Sequence, residues 1–133
     1  MLTESQATEL LRKFAPDEKS LGMVLRHSKK VQEIALRMAE AHPGADKDFI
    51  RVAALLHDIG RFKTRQAILH GVIGAGIMRA EGHPDIALVC ERHLGAGIPK
   101  EEIIAGKLPL PPKDFVPVSI EEKIGRASCR ERV

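Results

Sequence analysis

The sequence predicts an all-α domain, a bundle of about five to seven helices, on three observations. Apolar residues recur at three- and four-residue steps through most of the chain, the spacing that gathers them on one face of a helix. Helix-capping side chains stand ahead of these runs, and glycine or proline stands behind them. No stretch alternates apolar and polar residues with comparable strength, as a half-buried strand would, and no internal repeat is present.

Thr3 caps a first helix that runs to Phe14, with Gln6 at the position that closes a capping box, and Pro16-Asp17 opens the next segment. Over residues 19–41, Leu21, Val24, Leu25, Val31, Ile34, Ala35, Met38 and Ala39 form one stripe of a long amphipathic helix, ended by Pro43-Gly44. His27 lies beside that stripe, between Val24 and Val31, so it can point inward. Asp46 is the expected N-cap of a third helix, with Phe49, Val52, Ala53 and Leu56 on its buried face and Gly60 at its end. His57 and Asp58 fall in the last turn of that helix. A fourth helix over residues 68–80 carries glycines that permit close packing and stops at Gly82. Pro84 suits the first turn of a fifth, which bears Ile86, Ala87, Val89 and Cys90, places His93 in its final turn and stops near Gly95. A short helix over residues 100–105 and a proline-rich connection over 108–117 follow. Ser119-Ile120-Glu121-Glu122 is a capping box that announces one more helix.

Composition narrows the function. A chain of 133 residues fits one domain and can bury a core without disulfides or a structural zinc. Cys90 and Cys129 are not in a Cys-x-x-Cys spacing, so neither a disulfide framework nor a thiolate zinc site is indicated, and Cys90 reads as a small core residue. No run is long and apolar enough for a membrane span, and Met1-Leu2-Thr3-Glu4-Ser5 lacks the features of a secretory signal, which points to a cytoplasmic protein. The formal charge is +3, but Arg126, Arg130 and Arg132 crowd the last ten positions with only Glu131 to balance them. Residues 1–123 hold 18 basic and 17 acidic side chains, which removes the charge argument for nucleic-acid binding. Four Phe and no Trp or Tyr leave few platforms on which bases could stack.

The chemistry concentrates in histidines. His57 and Asp58 close an apolar run from Val52 to Leu56, where a bare buried charge is costly unless it is paired or ligated. Alone, a His-Asp pair reads as a helix-terminal imidazole beside a solvated acid, and His27, His70 and His93 are each individually ambiguous. Three histidines from separate helices plus the pair make most of a metal's ligand shell. His42 beside Pro43 and His83 beside Pro84 lie in connections and read as structural or solvent-facing. Arg61, Lys63 and Arg65 follow the pair; a cation there can bind phosphate, or it can belong to a solvated loop.

The ordered set His27 in Leu25-Arg26-His27-Ser28, then His57-Asp58-Ile59-Gly60, His70-Gly71 and Glu91-Arg92-His93 resembles the HDIG-type branch of the HD-domain superfamily of metal-dependent phosphohydrolases. The resemblance covers roughly residues 19–123 and implies an HD-domain-like helical bundle occupying residues 1–123. It implies that His27, His57 and Asp58 bind a first divalent ion, and that His70 and His93 hold a second, or contact substrate phosphate, with Asp58 bridging as the catalytic carboxylate. Arg61, which relatives match with a basic residue after the motif, and Lys63 become candidate substrate-binding residues. Imidazole-rich shells suit iron, zinc, nickel or cobalt, and the carboxylate admits manganese or magnesium. The implied partner is a small phosphorylated substrate, with no membrane partner; self-association to a homo-oligomer is compatible with the sequence.

One departure bears on the site. Relatives take a further aspartate from the helix that begins like residues 119–124, whereas no aspartate follows Asp114 here, and Asp114 in its proline-flanked loop is a poor substitute. Residues 124–133 resemble a translated sequencing adapter fused to a C-terminally truncated gene, so they are expected to be a non-native tail. The leading expectation is hydrolysis of a nucleotide or other small phosphate ester. The alternatives are an inactive HD-like module that binds a nucleotide or protein partner, and a di-iron oxygenase.

Overall fold

The computed structural model describes residues 2–93, 98–117, 119 and 121–122, which form six α-helices and one 3-10 helix. In chain order these are α1 (Glu4–Phe14), α2 (Glu18–Ala39), α3 (Lys47–Leu56), the 3-10 helix (Ile59–Phe62), α4 (Ala67–Ala80), α5 (Pro84–Arg92) and α6 (Lys100–Gly106). The fold is all-α, as its periodicity predicts. An isolated bridge between Ile98 and Phe115 is the only β pairing among the described residues.

Local chemistry sets the ends of these helices. Gln6 N–H donates to Thr3 Oγ1 at 3.1 Å and Thr3 N–H donates to Gln6 Oε1 at 2.9 Å, the reciprocal pair that satisfies two otherwise orphaned donors. Asp17 caps α2 through Ser20 N–H at 2.7 Å, and Asp46 caps α3 through Phe49 N–H at 3.0 Å. At the end of α4, Gly82 takes φ +86°, and the bonds Gly82 N to Arg79 O and His83 N to Met78 O close the helix in a Schellman arrangement. The expected third helix stops at Leu56, and the chain tightens into the 3-10 helix before Gly60 is passed. Of the expected final helix, Glu122 N–H donates to Ser119 Oγ at 3.3 Å, and its remainder lies outside the described residues, as does the supposed tail.

Two apolar clusters flank the region where the histidines meet. One joins Leu11 of α1, Leu21 and Val24 of α2, Val52 and Leu56 of α3, and Met78 and Ala87 of α4 and α5. The other joins Val31 and Ala35 of α2 to Ile50 and Ala53 of α3 and Val89 of α5. Residues 52–60 are buried without interruption, so α3 and the 3-10 helix run through the middle of the bundle. Three glycines bring their neighbours close. A Cβ on Gly60 would lie 1.8 Å from His70 O, one on Gly71 would lie 2.7 Å from Cys90 O, and one on Gly74 would lie 3.1 Å from Gly60 N. The backbones of the 3-10 helix, α4 and α5 therefore touch with no side chain between them.

Candidate metal centre

Asp58 is the hub. Its carboxylate is fully buried, and four imidazoles from four elements face it. His27 Nε2 stands 3.0 Å and His57 Nε2 3.5 Å from Oδ2, while His70 Nε2 and His93 Nε2 each stand 3.1 Å from Oδ1. The Arg61 Nε lies 3.1 Å from Oδ2 on the solvent side, its side chain 34% exposed. Helix geometry explains why adjacent residues converge. Within an α-helix His57 and Asp58 would diverge by about 100°; here α3 ends at His57, and Asp58 leaves the helix at φ −104°, ψ 15°.

The ring nitrogens remote from Asp58 fix the protonation pattern. His57 Nδ1–H donates to Ala54 O at 2.6 Å and His93 Nδ1–H donates to Cys90 O at 2.7 Å, in each case the carbonyl three residues back at a helix end. Both rings therefore aim a bare Nε2 lone pair inward when neutral, which is how metal-ligating histidines are oriented. Burial pushes His57 down to about 3, against the attraction of Asp58, so the ring is neutral at physiological pH. Burial also lowers His70. For Asp58 burial acts in the opposite sense, but His57 and the contacts from His27, His70 and His93 outweigh it and hold the carboxyl well below the usual range.

Such an array is poorly satisfied by protein atoms. His57 Nε2 is buried with no hydrogen-bond partner among the described residues, and its lone pair faces a carboxylate. His70 Nε2 and His93 Nε2 are 2.8 Å apart, a separation that needs a proton or a cation between them. The donor atoms sort into two sets, His27-His57-Asp58 and Asp58-His70-His93, with the ligand atoms of each set within 4.8 Å of one another. Asp58 belongs to both. Imidazole nitrogens crowded around an ionised carboxylate, with His57 Nε2 lacking a hydrogen-bond partner among the described residues, fit one or two divalent ions.

The five expected ligands are brought together, and Arg61 lies beside them in the lining of a cavity of about 450 Å³, with Met23, Val24 and Ala67. Lys63 is not among that lining; its Nζ sits 5.9 Å from the Phe14 ring, on the α1 side of the 3-10 helix. Asp114 Oδ1 accepts from Lys100 N at 2.7 Å, so its carboxylate serves the start of α6. His42 is exposed and His83 half-buried, both away from the cluster. Sequence reasoning missed Glu91, which is buried and gripped by Arg79 at 2.9 Å and Lys113 at 3.4 Å, tying the 108–117 connection to the turn that carries His93. A charged residue at a core-facing position of α5 was the available signal.

The chain belongs to the HD-domain family, whose profile matches residues 24–125. It is 47% identical over 106 residues to an uncharacterized protein of Methanocaldococcus jannaschii, a match covering 76% of this chain and 61% of that protein. It is 45% identical to a tRNA (cytidine(56)-2'-O)-methyltransferase of Picrophilus torridus over 86% of this chain and 36% of the enzyme. A Thermoplasma volcanium protein of the same name is 41% identical over 91% of this chain and 34% of that enzyme. The chain thus spans less than two thirds of each relative. Among solved structures, the HD domain of the L. monocytogenes phosphodiesterase PgpH superposes with a TM-score of 0.62 and 18% identity over 95% of this chain and 72% of that domain, a likeness of fold.

Proposed function

We propose that this chain is a metal-dependent phosphohydrolase acting on a nucleotide or other small phosphate ester. The observation that carries the reading is the convergence of four imidazoles on one buried carboxylate, two of them locked by backbone carbonyls with their lone pairs inward. His27, His57 and Asp58 would hold one ion, and Asp58, His70 and His93 a second. A divalent ion bound there lowers the pKa of a coordinated water and offsets charge on a phosphoryl oxygen. The protein's own share is placement. Asp58 stays ionised, the backbone carbonyls of Ala54 and Cys90 keep the His57 and His93 rings fixed, and Arg61 can extend its guanidinium to a phosphate in the cavity. Met23, Val24 and Ala67 supply the apolar part of the cavity wall.

This proposal concerns the HD stretch alone. The two methyltransferases carry about a third of their length in the matched region, and their name describes proteins much longer than this chain. The test is metal content by mass spectrometry together with hydrolysis of p-nitrophenyl phosphate and bis-p-nitrophenyl phosphate in added manganese. Bound metal and turnover, both lost in Asp58→Ala and His57→Ala, are expected. Metal content unchanged by both substitutions would defeat the reading, and retained metal without turnover on either ester would favour a binding module instead.

A further inference from the structure

The cavity at the metal centre has a neighbour on α2. Met23 and His27 also line a second concavity of about 480 Å³, whose other walls are Arg26, Lys29 and Lys30. The two hollows share those two residues and so lie side by side, one reaching Asp58 and Arg61 and the other facing out from α2. The second holds three cations and no acid among its lining residues.

These cations are exposed, and among the described residues none of them is engaged in an ion pair. The acid one turn on, Glu33, is taken up by Arg37 at 2.6 Å. Gly22 adds an independent observation. It stands inside a 22-residue helix, where glycine costs about 1 kcal/mol relative to alanine, and a Cβ there would come 3.1 Å from Arg26 Nη1. The missing side chain lets the guanidinium lie back along the helix over Gly22. Lys30 is three residues from His27, ~4.5 Å along the axis, so a flexible ammonium can reach an anion held beside the metal centre.

We propose that Arg26, Lys29 and Lys30 form a subsite for a second phosphate group on the substrate. The inference rests on the phosphohydrolase reading and narrows its substrate class to esters that carry an additional phosphate, joined either as an anhydride or through a phosphodiester. Arg61 would hold the phosphate nearest the metal centre, and the α2 cations the next. Met23, 57% exposed at the junction, offers an apolar contact between the two.

The test is calorimetric binding to the manganese-loaded 133-residue chain at fixed ionic strength, with thymidine 5'-monophosphate, thymidine 5'-diphosphate and the 5'-phosphorylated dinucleotide pTpT as probes. Wild-type protein should bind at least one of the two-phosphate probes tenfold or more tightly than the monophosphate. In R26Q/K29Q/K30Q that ratio should collapse to about one, while K47Q, on the distant start of α3, keeps it. The probe that shows the gain identifies the linkage. A wild-type ratio near one, or a gain that survives the triple substitution, overturns the subsite and leaves the metal reading standing. A protein that binds none of the three probes also overturns the subsite, and the metal reading is then decided by metal content and turnover of the aryl phosphates.

Discussion

At the scale of single residues, the arrangement around Asp58 makes a pH dependence that an ordinary surface histidine would not show. The His57 ring is held near 3 by burial, against 6.5 when exposed, so the unfolded chain binds a proton that the folded chain refuses across that interval. Folding is therefore favoured at high pH and loses stability as pH falls below 6.5, at up to about 1.4 kcal/mol per pH unit for one such proton. His70, lowered in the same direction, adds to the loss. Asp58, also lowered, extends it below the normal carboxylate range in the same sense. Urea denaturation in the presence of a chelator should show the midpoint dropping between pH 7 and pH 5, and His57→Gln should flatten that slope. An unchanged midpoint over that interval would show that His57 is not buried as a neutral ring. The residue types of this site were legible in the sequence because charged and imidazole groups at core-facing positions are costly without a partner. The tautomers were not legible, since they depend on which backbone carbonyl each Nδ1 meets once a helix ends.

At the scale of elements, the contrast between glycines tests the close approach that brings His70 to Asp58. A methyl group at Gly60 would overlap His70 O and sit 2.8 Å from Gly74 N, and both are backbone atoms with no rotamer to yield. Gly60→Ala should cost ~3 kcal/mol, at the upper end of the usual range for overpacking, and lower metal affinity with it, because the 3-10 helix and α4 must separate. Gly76, on the exposed face of the same α4, has nothing within 4 Å of a Cβ. Gly76→Ala should instead stabilise the protein by about 0.5–1 kcal/mol through helix propensity. Thermal and urea denaturation of the two variants would decide, and equal effects would remove the close contact from the account. The sequence reading anticipated tight packing for α4 but not its partners, because a glycine shows that something approaches and not what. Helix starts at Thr3 and Asp46 were readable for the opposite reason: a cap bonds to residues within one turn. Glu91 was not, since its partners Arg79 and Lys113 lie on other segments.

At the scale of the whole molecule, the candidate ligands come from α2, the end of α3, α4 and the end of α5, so a bound ion would tie together elements that otherwise meet through two separate apolar clusters. The all-α architecture was legible because periodicity and caps are properties of short stretches; the convergence was not, because only the packing of α4 on α5 and of α2 on α3 brings residues so distant in sequence to one carboxylate. That geometry predicts strong coupling between metal binding and folding. An ion that binds the folded chain alone stabilises it by about 2.7 kcal/mol at a free concentration of 100 times its Kd. For a chain of this length each kcal/mol raises Tm by about 3–5 °C, so saturating manganese, zinc, iron, nickel, cobalt or magnesium should be ranked by the shift each produces. Removing the α2 contribution with His27→Ala should reduce the shift, measured against the chelated form of that same variant, because His27 supplies one imidazole to the first ligand set. A Tm that no divalent ion raises and no chelator lowers would mean that the four imidazoles are joined to Asp58 by protons alone, and the hydrolytic reading would fall with the metal.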